Sequence, residues 1–380
     1  MHILLTGSTG LLGRYLLKDL SLANIPIVTV VRPKGRQSAQ ERIDNIMANL
    51  EEECGQKFQS PHVLAGDICE PNLGLNDNDL KWLTENCDSV LHNAASLTFH
   101  ATSDAGEPWR SNVEGVKNVL DLCEKTGIKD FHHVSTAYVC GLRTDKVLES
   151  DLDVGQELGN DYERSKIQAE ELIRSASFLS PPTVFRPSII VGDSQTGFTT
   201  TFHGYYVPLR LIHTLSSVIA AQGEEAPERR LSLDGSETKH FVPVDWVSAA
   251  MVSIIQNPEH HGQTYHLTPP NPVTTTMTRD VLEKVTGCYG AKFCGADTVI
   301  DDPTEIERLF YDHIEVYNSY WRDDPVFDRT NILKAAPHLP CPEVTEDMLQ
   351  IISKAAIEME FRWKEPVKVK TNSEEIHAKI

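Results

Sequence analysis

The sequence predicts an α/β fold, a doubly wound parallel sheet joined to a smaller, mostly helical C-terminal substrate domain. Short apolar strands alternate with helical stretches through the first half of the chain, and this alternation ends near residue 193. Such alternation implies parallel strands with helices on both faces of the sheet. A chain of 380 residues is long enough for one large domain or two interlocked domains.

Apolar runs and their periodicity place the individual elements. The predicted strands are His2–Leu5, Ile27–Val31, His62–Ala65, Ser89–His92, Asp130–Val134 and Thr183–Arg186, and the predicted helices are Leu11–Leu20, Ala39–Glu53, Asn112–Thr126, Tyr162–Ser175 and Pro208–Ala221. Residues 239–255 resemble a strand and a helix that return to the sheet. We therefore assign residues 1–193 and 235–258 to the sheet domain, 194–234 and 259–368 to the substrate domain, and 369–380 to a disordered tail.

Composition narrows the classes of partner. The formal net charge of −20 argues against nucleic acid or an anionic membrane, and the absence of an apolar run of about 18 residues argues against a membrane span. Because the first strand begins within the first three residues, we expect no targeting segment and a cytoplasmic protein. The eight cysteines lack Cys-x-x-Cys spacing, and the pairs His132-His133 and His260-His261 have no evident third ligand, so we expect no metal site.

A glycine-rich turn links the first strand to the first helix, in "ILLTGSTGLLGRYLL". Its glycines recur every three residues, which leaves no Cβ to obstruct a pyrophosphate at the helix N-terminus. The strand-turn-helix context predicts a dinucleotide-binding (Rossmann) loop. Its residues are Thr6, Gly7, Ser8, Thr9, Gly10, Leu11, Leu12 and Gly13.

The end of the second strand indicates which dinucleotide is bound. "VVRPKGR" supplies Arg32, Lys34 and Arg36 where an acid would bind the ribose 2′-hydroxyl of NAD. Guanidinium groups suit a 2′-phosphate, so NADP(H) is favoured over NAD(H). Further contacts are expected from the ends of the third and fourth strands, at Asp67, Ile68, Asn93, Ala94 and Ala95.

Tyr162 and Lys166 stand four residues apart on a predicted helix, where side chains at this spacing are neighbours. The pair alone does not distinguish a catalytic acid and its activator from an ordinary helix surface. The nucleotide loop and a hydroxyl-bearing strand end at Ser135 and Thr136 favour the catalytic interpretation.

Six motifs then agree in order over residues 1–270: the glycine loop, "HNAA", "SNVEGVKNVL", "HVSTAYVCG", "YERSK" and "FRPSIIVGDSQTG". In the order and spacing of these motifs, the chain resembles the extended short-chain dehydrogenase/reductases. The resemblance implies that Tyr162 donates a proton, and that Lys166 lowers the pKa of Tyr162 and holds the nicotinamide ribose. It also implies that Thr136, or its neighbour Ser135, orients the carbonyl, and that Asn112 supports the lysine, with a helix N-cap as a compatible role. A monomer or a homodimer is expected.

Three features resemble the thioester-reductase and fatty-acyl-reductase branch of that family. They are Arg186-Pro187-Ser188 with its "GDSQTG" tail, the second-strand exit with Glu41-Arg42, and "HFVPVDWVSAA", in which Asp245 is a possible N-cap. We expect Arg186, Pro187 and Ser188 to contact the cofactor. The resemblance implies an NADPH-dependent reductase of an acyl thioester or related carbonyl, with "FHGYYVPLRLIHTL" and "LFYDHIEVYNSYW" lining the pocket of a small or carrier-bound acyl substrate.

Other functions remain open at this point. A nucleotide-sugar epimerase or dehydratase would hold NAD tightly and consume no NADPH. A plain ketone or aldehyde reductase is a close variant of the favoured function. A cofactor-sensing binding protein would be expected to have lost Tyr162 or Lys166, and both are present.

Overall fold

The computed structural model describes residues 1–222, 228–296, 298–315, 320 and 322–363. Its strands are β1 His2–Thr6, β2 Ile27–Val31, β3 His62–Ala65, β4 Cys87–His92, β5 Asp130–Val134, β6 Thr183–Pro187, β7 Ile189–Val191, β8 Arg229–Leu231, β9 Thr238–Lys239, β10 Phe241–Pro243, β11 Thr264–Leu267, β12 Val273–Thr274 and β13 Ala291–Phe293. Its α-helices are α1 Leu11–Leu22, α2 Ala39–Cys54, α3 Asp77–Asn86, α4 Gly115–Thr126, α5 Asp161–Ser175, α6 Tyr206–Gln222, α7 Val244–Ile255, α8 Thr275–Thr286, α9 Glu305–Ile314, α10 Thr330–Ala335 and α11 Glu346–Glu358. The predicted tail, residues 369–380, lies outside the described residues.

A seven-stranded parallel sheet, in the order β11-β6-β5-β4-β1-β2-β3, forms the centre of the described structure. The chain runs outward from β1 through β2 to β3, and β4 then returns to the other side of β1. The strand order therefore reverses between β1 and β4, where open α/β sheets bind ligands beyond the carboxyl ends of their strands. The predicted doubly wound parallel sheet is confirmed.

Helices cover both faces of this sheet, as the buried strands require. All five residues of β2 are buried, which is typical of a parallel strand that is covered on both sides. Apolar side chains of α1, α2 and α7 pack on one face, and those of α3, α4 and α5 pack on the other. No helix in the described ranges has both the length and the apolar character that a membrane span needs.

Both helix caps suggested by the sequence are wrong. A π-helical turn, Arg110–Glu114, precedes α4, so Asn112 lies inside that turn and not at an N-cap. Helix α7 begins at Val244, which places Asp245 in its first turn. The Asp245 carboxylate accepts hydrogen bonds from the backbone nitrogen and the hydroxyl of Ser194, at 2.9 and 2.7 Å.

Segments of the chain mostly beyond residue 193 form a smaller part with a core of its own. Its two-stranded sheets pair β10 with β7, β12 with β9 and β13 with β8. Helices α6, α8 and α11 contribute Leu209, Leu282 and Leu349 to a shared core. The predicted boundary at residue 259 is wrong, because β11 is an edge strand of the main sheet through its pairing with β6. The strand expected to return to that sheet, β10, pairs with β7 outside it.

Candidate active site

A cavity of about 850 Å3 opens at the carboxyl ends of the parallel strands, at the place where the strand order reverses. Most of the residues expected to contact a cofactor line this cavity, together with Thr136. They are Gly7, Ser8, Thr9, Gly10, Leu11, Leu12, Arg32, Lys34, Asp67, Ile68, Asn93, Ala94, Ala95, Ser135, Tyr162, Lys166, Pro187 and Ser188. Thr6, Gly13, Asn112 and Arg186 are not among the lining residues.

The glycine loop shows why its residues have to be small. Gly7 has a positive φ of +71°, and a Cβ at this position would lie 2.7 Å from the backbone nitrogen of Ala94. Gly10 precedes α1 with no side-chain cap, and the first turn of α1 contains no acidic residue. The N-terminal N–H groups of α1 can therefore bind an anion at the cavity wall.

Two residues of the predicted loop, Gly13 and Thr6, do not line the cavity but support its wall. A Cβ on Gly13 would lie 2.1 Å from the Gly7 carbonyl oxygen, so Gly13 permits the close packing of α1 on the loop. The Thr6 hydroxyl accepts hydrogen bonds from the backbone nitrogens of Asn93 and Ala94, both at 3.1 Å. Thr6 thus connects the end of β1 to the segment that follows β4.

Three cationic side chains line the cavity beyond β2. The side chain of Arg32 is 68% exposed, and its Nη1 lies 3.5 Å from Asp67 Oδ2. Arg42, from the first turns of α2, donates a hydrogen bond of 2.6 Å to the Arg32 carbonyl and lines the cavity with Arg32 and Lys34. Arg42 belongs to the Glu41-Arg42 motif of the second-strand exit, and the sequence pattern does not predict that it reaches this cavity. Arg36 is not among the lining residues.

Tyr162 and Thr136 both line the cavity, and the Thr136 side chain is near enough to the phenol to influence its pKa. Thr136 follows β5 and also accepts a hydrogen bond from the backbone nitrogen of Tyr138, at 3.2 Å. Burial raises the pKa of Tyr162 to about 12, the nearby Thr136 side chain opposes that rise, and the charge of Glu163 adds to it. The phenol therefore holds its proton at neutral pH.

Lys166 lies one helical turn from Tyr162 on α5 and is 2% exposed. Its Nζ donates a hydrogen bond of 2.7 Å to the Val134 carbonyl. Burial lowers the pKa of Lys166 to about 8, against the charge of Glu170, which favours the ammonium form. Burial is the largest influence on the phenol and raises the pKa of Tyr162, so the lowering of that pKa by Lys166 stays a prediction.

Asn112 lies behind α5. Its amide nitrogen donates to the Ser165 hydroxyl at 2.9 Å and to the Ser96 carbonyl at 3.1 Å, and its amide oxygen accepts from the Ser96 nitrogen at 2.7 Å. Because Ser165 is adjacent to Lys166, Asn112 can position the lysine by bracing α5 against the segment after β4.

Arg186 does not reach the cavity, and its predicted cofactor contact is wrong. The side chain is fully buried, and its Nη2 lies 2.6 Å from Glu170 Oε1. It also donates hydrogen bonds to Glu170 Oε2 at 3.1 Å and to the Asp151 carbonyl at 2.6 Å. Arg186 therefore neutralises a buried carboxylate of α5, while its neighbours Pro187 and Ser188 line the cavity.

Another part of the cavity lining is apolar and aromatic. Its side chains come from the segment after β4, from β7 and from the smaller part of the chain, and they include Leu97, Phe99, Ile189, Ile190, Tyr205, Pro208, Phe241, Ile314 and Tyr320. Both segments expected to line an acyl pocket contribute here, the first through Tyr205 and Pro208 and the second through Ile314 and Tyr320. Residues 316–319 and 321 of the second segment lie outside the described residues.

Comparison with known proteins gives a family match over most of the chain. Residues 5–251 match the model of the male sterility protein family. The chain is 27% identical over 287 residues to a nonribosomal peptide synthetase of Aspergillus flavus, an alignment that covers 72% of this chain and 26% of that protein. It is also 27% identical over 292 residues to the carboxylic acid reductase of Mycobacterium marinum, covering 70% of this chain and 24% of that protein. The chain thus spans about a quarter of the length of these two relatives.

Solved structures share the fold over nearly the whole chain. The terminal R domain from the myxalamid PKS-NRPS biosynthetic pathway has a TM-score of 0.76 and 28% identity, with 96% of this chain and 92% of that chain covered. A UDP-glucose-4-epimerase from Stenotrophomonas maltophila with bound NAD has a TM-score of 0.66 and 18% identity, with 95% and 99% covered. At 18% identity the second likeness shows the fold alone.

Proposed function

The chain belongs to the male sterility protein family of NAD-binding domains, in the extended short-chain dehydrogenase/reductase class, and on that premise we propose that it is an NADPH-dependent reductase of acyl thioesters or related carbonyl compounds. The observation that carries the proposal is that Tyr162, Thr136 and Lys166 line the same cavity as the glycine loop. A substrate bound in this cavity would therefore lie beside both the proton donor and the cofactor.

The residues of the cavity wall fit a nicotinamide dinucleotide. The glycine loop and the N-terminus of α1 would hold the pyrophosphate. Arg32, Lys34 and Arg42 would bind a 2′-phosphate, which favours NADP(H) over NAD(H). Within the described residues, the buried hydroxyls of Ser135 and Ser188 have no hydrogen-bond partner, although both residues line the cavity. Buried polar groups are normally paired, so these hydroxyls fit a polar ligand.

When bound, the reduced cofactor supplies the hydride that the carbonyl carbon of the substrate accepts. Tyr162 gives its proton to the carbonyl oxygen as that oxygen gains negative charge. Thr136 orients the phenol and the carbonyl oxygen through its hydroxyl, and the Lys166 ammonium stabilises the phenolate that remains. The resulting hemithioacetal loses its thiol, which breaks the C–S bond and yields an aldehyde. A second round of the same chemistry gives an alcohol.

The apolar wall supports an acyl substrate. Tyr205, Phe241, Ile314 and Tyr320 give the cavity aromatic and aliphatic surface, as in ligand pockets for apolar groups generally. Similarity to a carboxylic acid reductase and to a peptide synthetase supports a thioester, presented by coenzyme A or by a carrier protein. We propose that the part built around α1 and the parallel sheet holds the cofactor, and that the smaller part holds the acyl group.

Measurement of the reaction products tests this function. Purified protein would be incubated with NADPH and acyl-CoA esters of several chain lengths, and released thiol and aldehyde would be measured by trapping reagents. We expect thiol and aldehyde to appear together with the oxidation of NADPH, and the Tyr162→Phe variant to form neither. Thiol release without NADPH oxidation would indicate a hydrolase and would contradict the proposal.

A further inference from the structure

A cluster of three metal-ligating side chains lies at the amino-terminal edge of the sheet, away from the cavity. Asp130 and His132 belong to the start of β5, and His261 belongs to the turn that precedes β11. The distance from Asp130 Oδ2 to His132 Nε2 is 3.3 Å, and that to His261 Nδ1 is 3.1 Å. One donor atom from each of the three residues lies within 4.8 Å of the others.

The hydrogen bonds around His261 leave a lone pair directed at a carboxylate. Its Nε2 lies 3.1 Å from the Ile255 carbonyl, at the end of α7, and a carbonyl can only accept. Nε2 is therefore the donor, and in the neutral ring Nδ1 carries a lone pair that faces Asp130 Oδ2. A cation is needed between the two. Metal-bound histidines typically donate their second ring N–H to a backbone carbonyl in this way.

His132 supplies an independent reason to expect a cation. Its side chain is 1% exposed. Among the residues that the structure describes, neither ring nitrogen has a hydrogen-bond partner, because the 3.3 Å approach to Asp130 does not have hydrogen-bond geometry. A proton on His261 Nδ1 would satisfy Asp130 but would leave His132 unpartnered. A metal ion would bind His132, His261 and Asp130 together.

We propose that Asp130, His132 and His261 bind a Zn²⁺ ion, with water as the fourth ligand. Tetrahedral Zn²⁺ with bond lengths of about 2.0–2.2 Å holds neighbouring donors roughly 3.3–3.5 Å apart, close to the two separations from Asp130. Two imidazoles and one carboxylate are a ligand set that Zn²⁺ accepts. The Asp130 side chain is 33% exposed and that of His261 is 18% exposed, so water can reach the open position.

The ion's position argues for a structural role. Val134, at the other end of β5, lies beside Lys166 and the cavity, and a strand of this length separates its ends by about 13 Å. His261 connects the end of α7 to β11, so an ion here would fasten that connection to β5. Only one histidine of each adjacent pair belongs to the proposed site. The other two have different neighbours: His133 stacks on His92, with ring centroids 5.6 Å apart, and His260 Nε2 lies 3.8 Å from Glu259.

Metal titration of the full chain tests the proposal. Protein treated with a chelator would be titrated with Co²⁺, followed by visible absorption, and with Zn²⁺, followed by calorimetry and thermal unfolding. We expect one ion per chain, a tetrahedral cobalt spectrum without thiolate charge-transfer bands, and a raised Tm. Asp130→Asn and His261→Gln should each weaken binding more than about 100-fold, since even loss of an outer partner costs about 10–100-fold.

His260→Gln is the matched control, because it removes the neighbouring imidazole of the same turn and should bind Zn²⁺ as the unaltered chain does. Three results would overturn the proposal: no stoichiometric binding, binding that survives both Asp130→Asn and His261→Gln, or a cobalt spectrum with thiolate ligands. The first would mean that a proton, and not a metal, lies between His261 and Asp130.

Discussion

Lys166 crosses from α5 to the carboxyl end of β5, where its ammonium nitrogen donates a hydrogen bond of 2.7 Å to the Val134 carbonyl. This contact holds a buried cation at the inner wall of the cavity, beside Thr136 and Tyr162. Because burial lowers the pKa of Lys166 to about 8, its charge changes within the range in which the protein would be assayed.

The pH dependence of kcat/KM for NADPH should report this lysine, because that parameter reflects groups of the free enzyme. With a folded-state pKa of about 8, Lys166 is charged below that pH and loses its proton above it. We expect kcat/KM to be level below pH 8 and to fall above it. Lys166→Arg, which keeps its charge, should shift that fall to higher pH. An unchanged profile in Lys166→Arg would assign the fall to another group.

Removal of the same side chain should affect both binding and chemistry. Lys166→Ala takes away the cation beside the phenol, so we expect lower turnover, and it takes away a proposed contact to the nicotinamide ribose, so we expect weaker NADPH binding. Steady-state kinetics and fluorescence titration with NADPH measure the two effects separately. If the variant binds and turns over as the unaltered protein does, the proposed pairing of Lys166 with Tyr162 is wrong.

Tyr162→Phe removes the proposed proton donor without changing the shape of the wall. General acids contribute roughly 10²–10⁴-fold to rate, and a loss of turnover in that range is expected, with NADPH affinity nearly intact. Tyr15→Phe is a matched control, since it deletes a hydroxyl that donates to Asp193 at 3.0 Å and does not line the cavity. Turnover retained in Tyr162→Phe would exclude Tyr162 as the acid.

Arg32→Glu should discriminate between the two dinucleotides. It replaces a cation of the cavity mouth with an anion, and loss of one charge-assisted hydrogen bond costs about 1.5–3 kcal/mol, or roughly 10- to 100-fold in affinity. We therefore expect NADPH binding to weaken by at least about tenfold and NADH binding to change little. Arg36→Glu makes the same charge change in the same loop, outside the cavity lining, and should leave NADPH affinity nearly unchanged. Equal NADPH affinities in Arg32→Glu and Arg36→Glu would argue against a 2′-phosphate at Arg32.

Arg186→Gln should affect stability and spare cofactor binding. The ion pair of Arg186 with Glu170 is fully buried on both sides, and loss of one partner from such a pair typically costs about 3–5 kcal/mol of unfolding free energy. Chemical denaturation measures this loss. Arg174→Gln is the comparison, because Arg174 also binds Glu170 but its side chain is 37% exposed, and the cost should be smaller. A specific loss of NADPH affinity at unchanged stability would restore the original cofactor assignment of Arg186.

Much of the cofactor half of the fold could be predicted from sequence, because its determinants are local. The apolar run Ile27–Val31 and the glycine loop each specify their structure over a few neighbouring residues, and both appear where they were predicted. The parallel sheet then brings the ends of β1, β4 and β5 together. This is why Gly7, Asn93 and Thr136, far apart in sequence, line one cavity.

The residues that were misassigned depend on contacts between distant segments. Arg186 follows a motif that resembles a cofactor contact, but its partner Glu170 lies on α5, and sequence spacing cannot reveal that this arginine points away from the cavity. Asp130, in contrast, was not predicted to bind a ligand but lies beside His261 in the fold. No spacing rule links it to His261, and only the pairing of β5 with β6 and of β6 with β11 brings the two together.

Oxidation of NADPH, followed by absorbance, tests the reductase function. Acyl-CoA esters, free aldehydes and UDP-sugars would serve as alternative substrates, and NADH as the alternative reductant. We expect that an acyl-CoA drives NADPH oxidation, that NADH is a poorer reductant, and that Tyr162→Phe abolishes the reaction. NADPH oxidation with aldehydes but not with acyl-CoA esters would indicate a carbonyl reductase. Conversion of a UDP-sugar with no net NADPH oxidation, by protein that carries bound NAD, would contradict the reductase function.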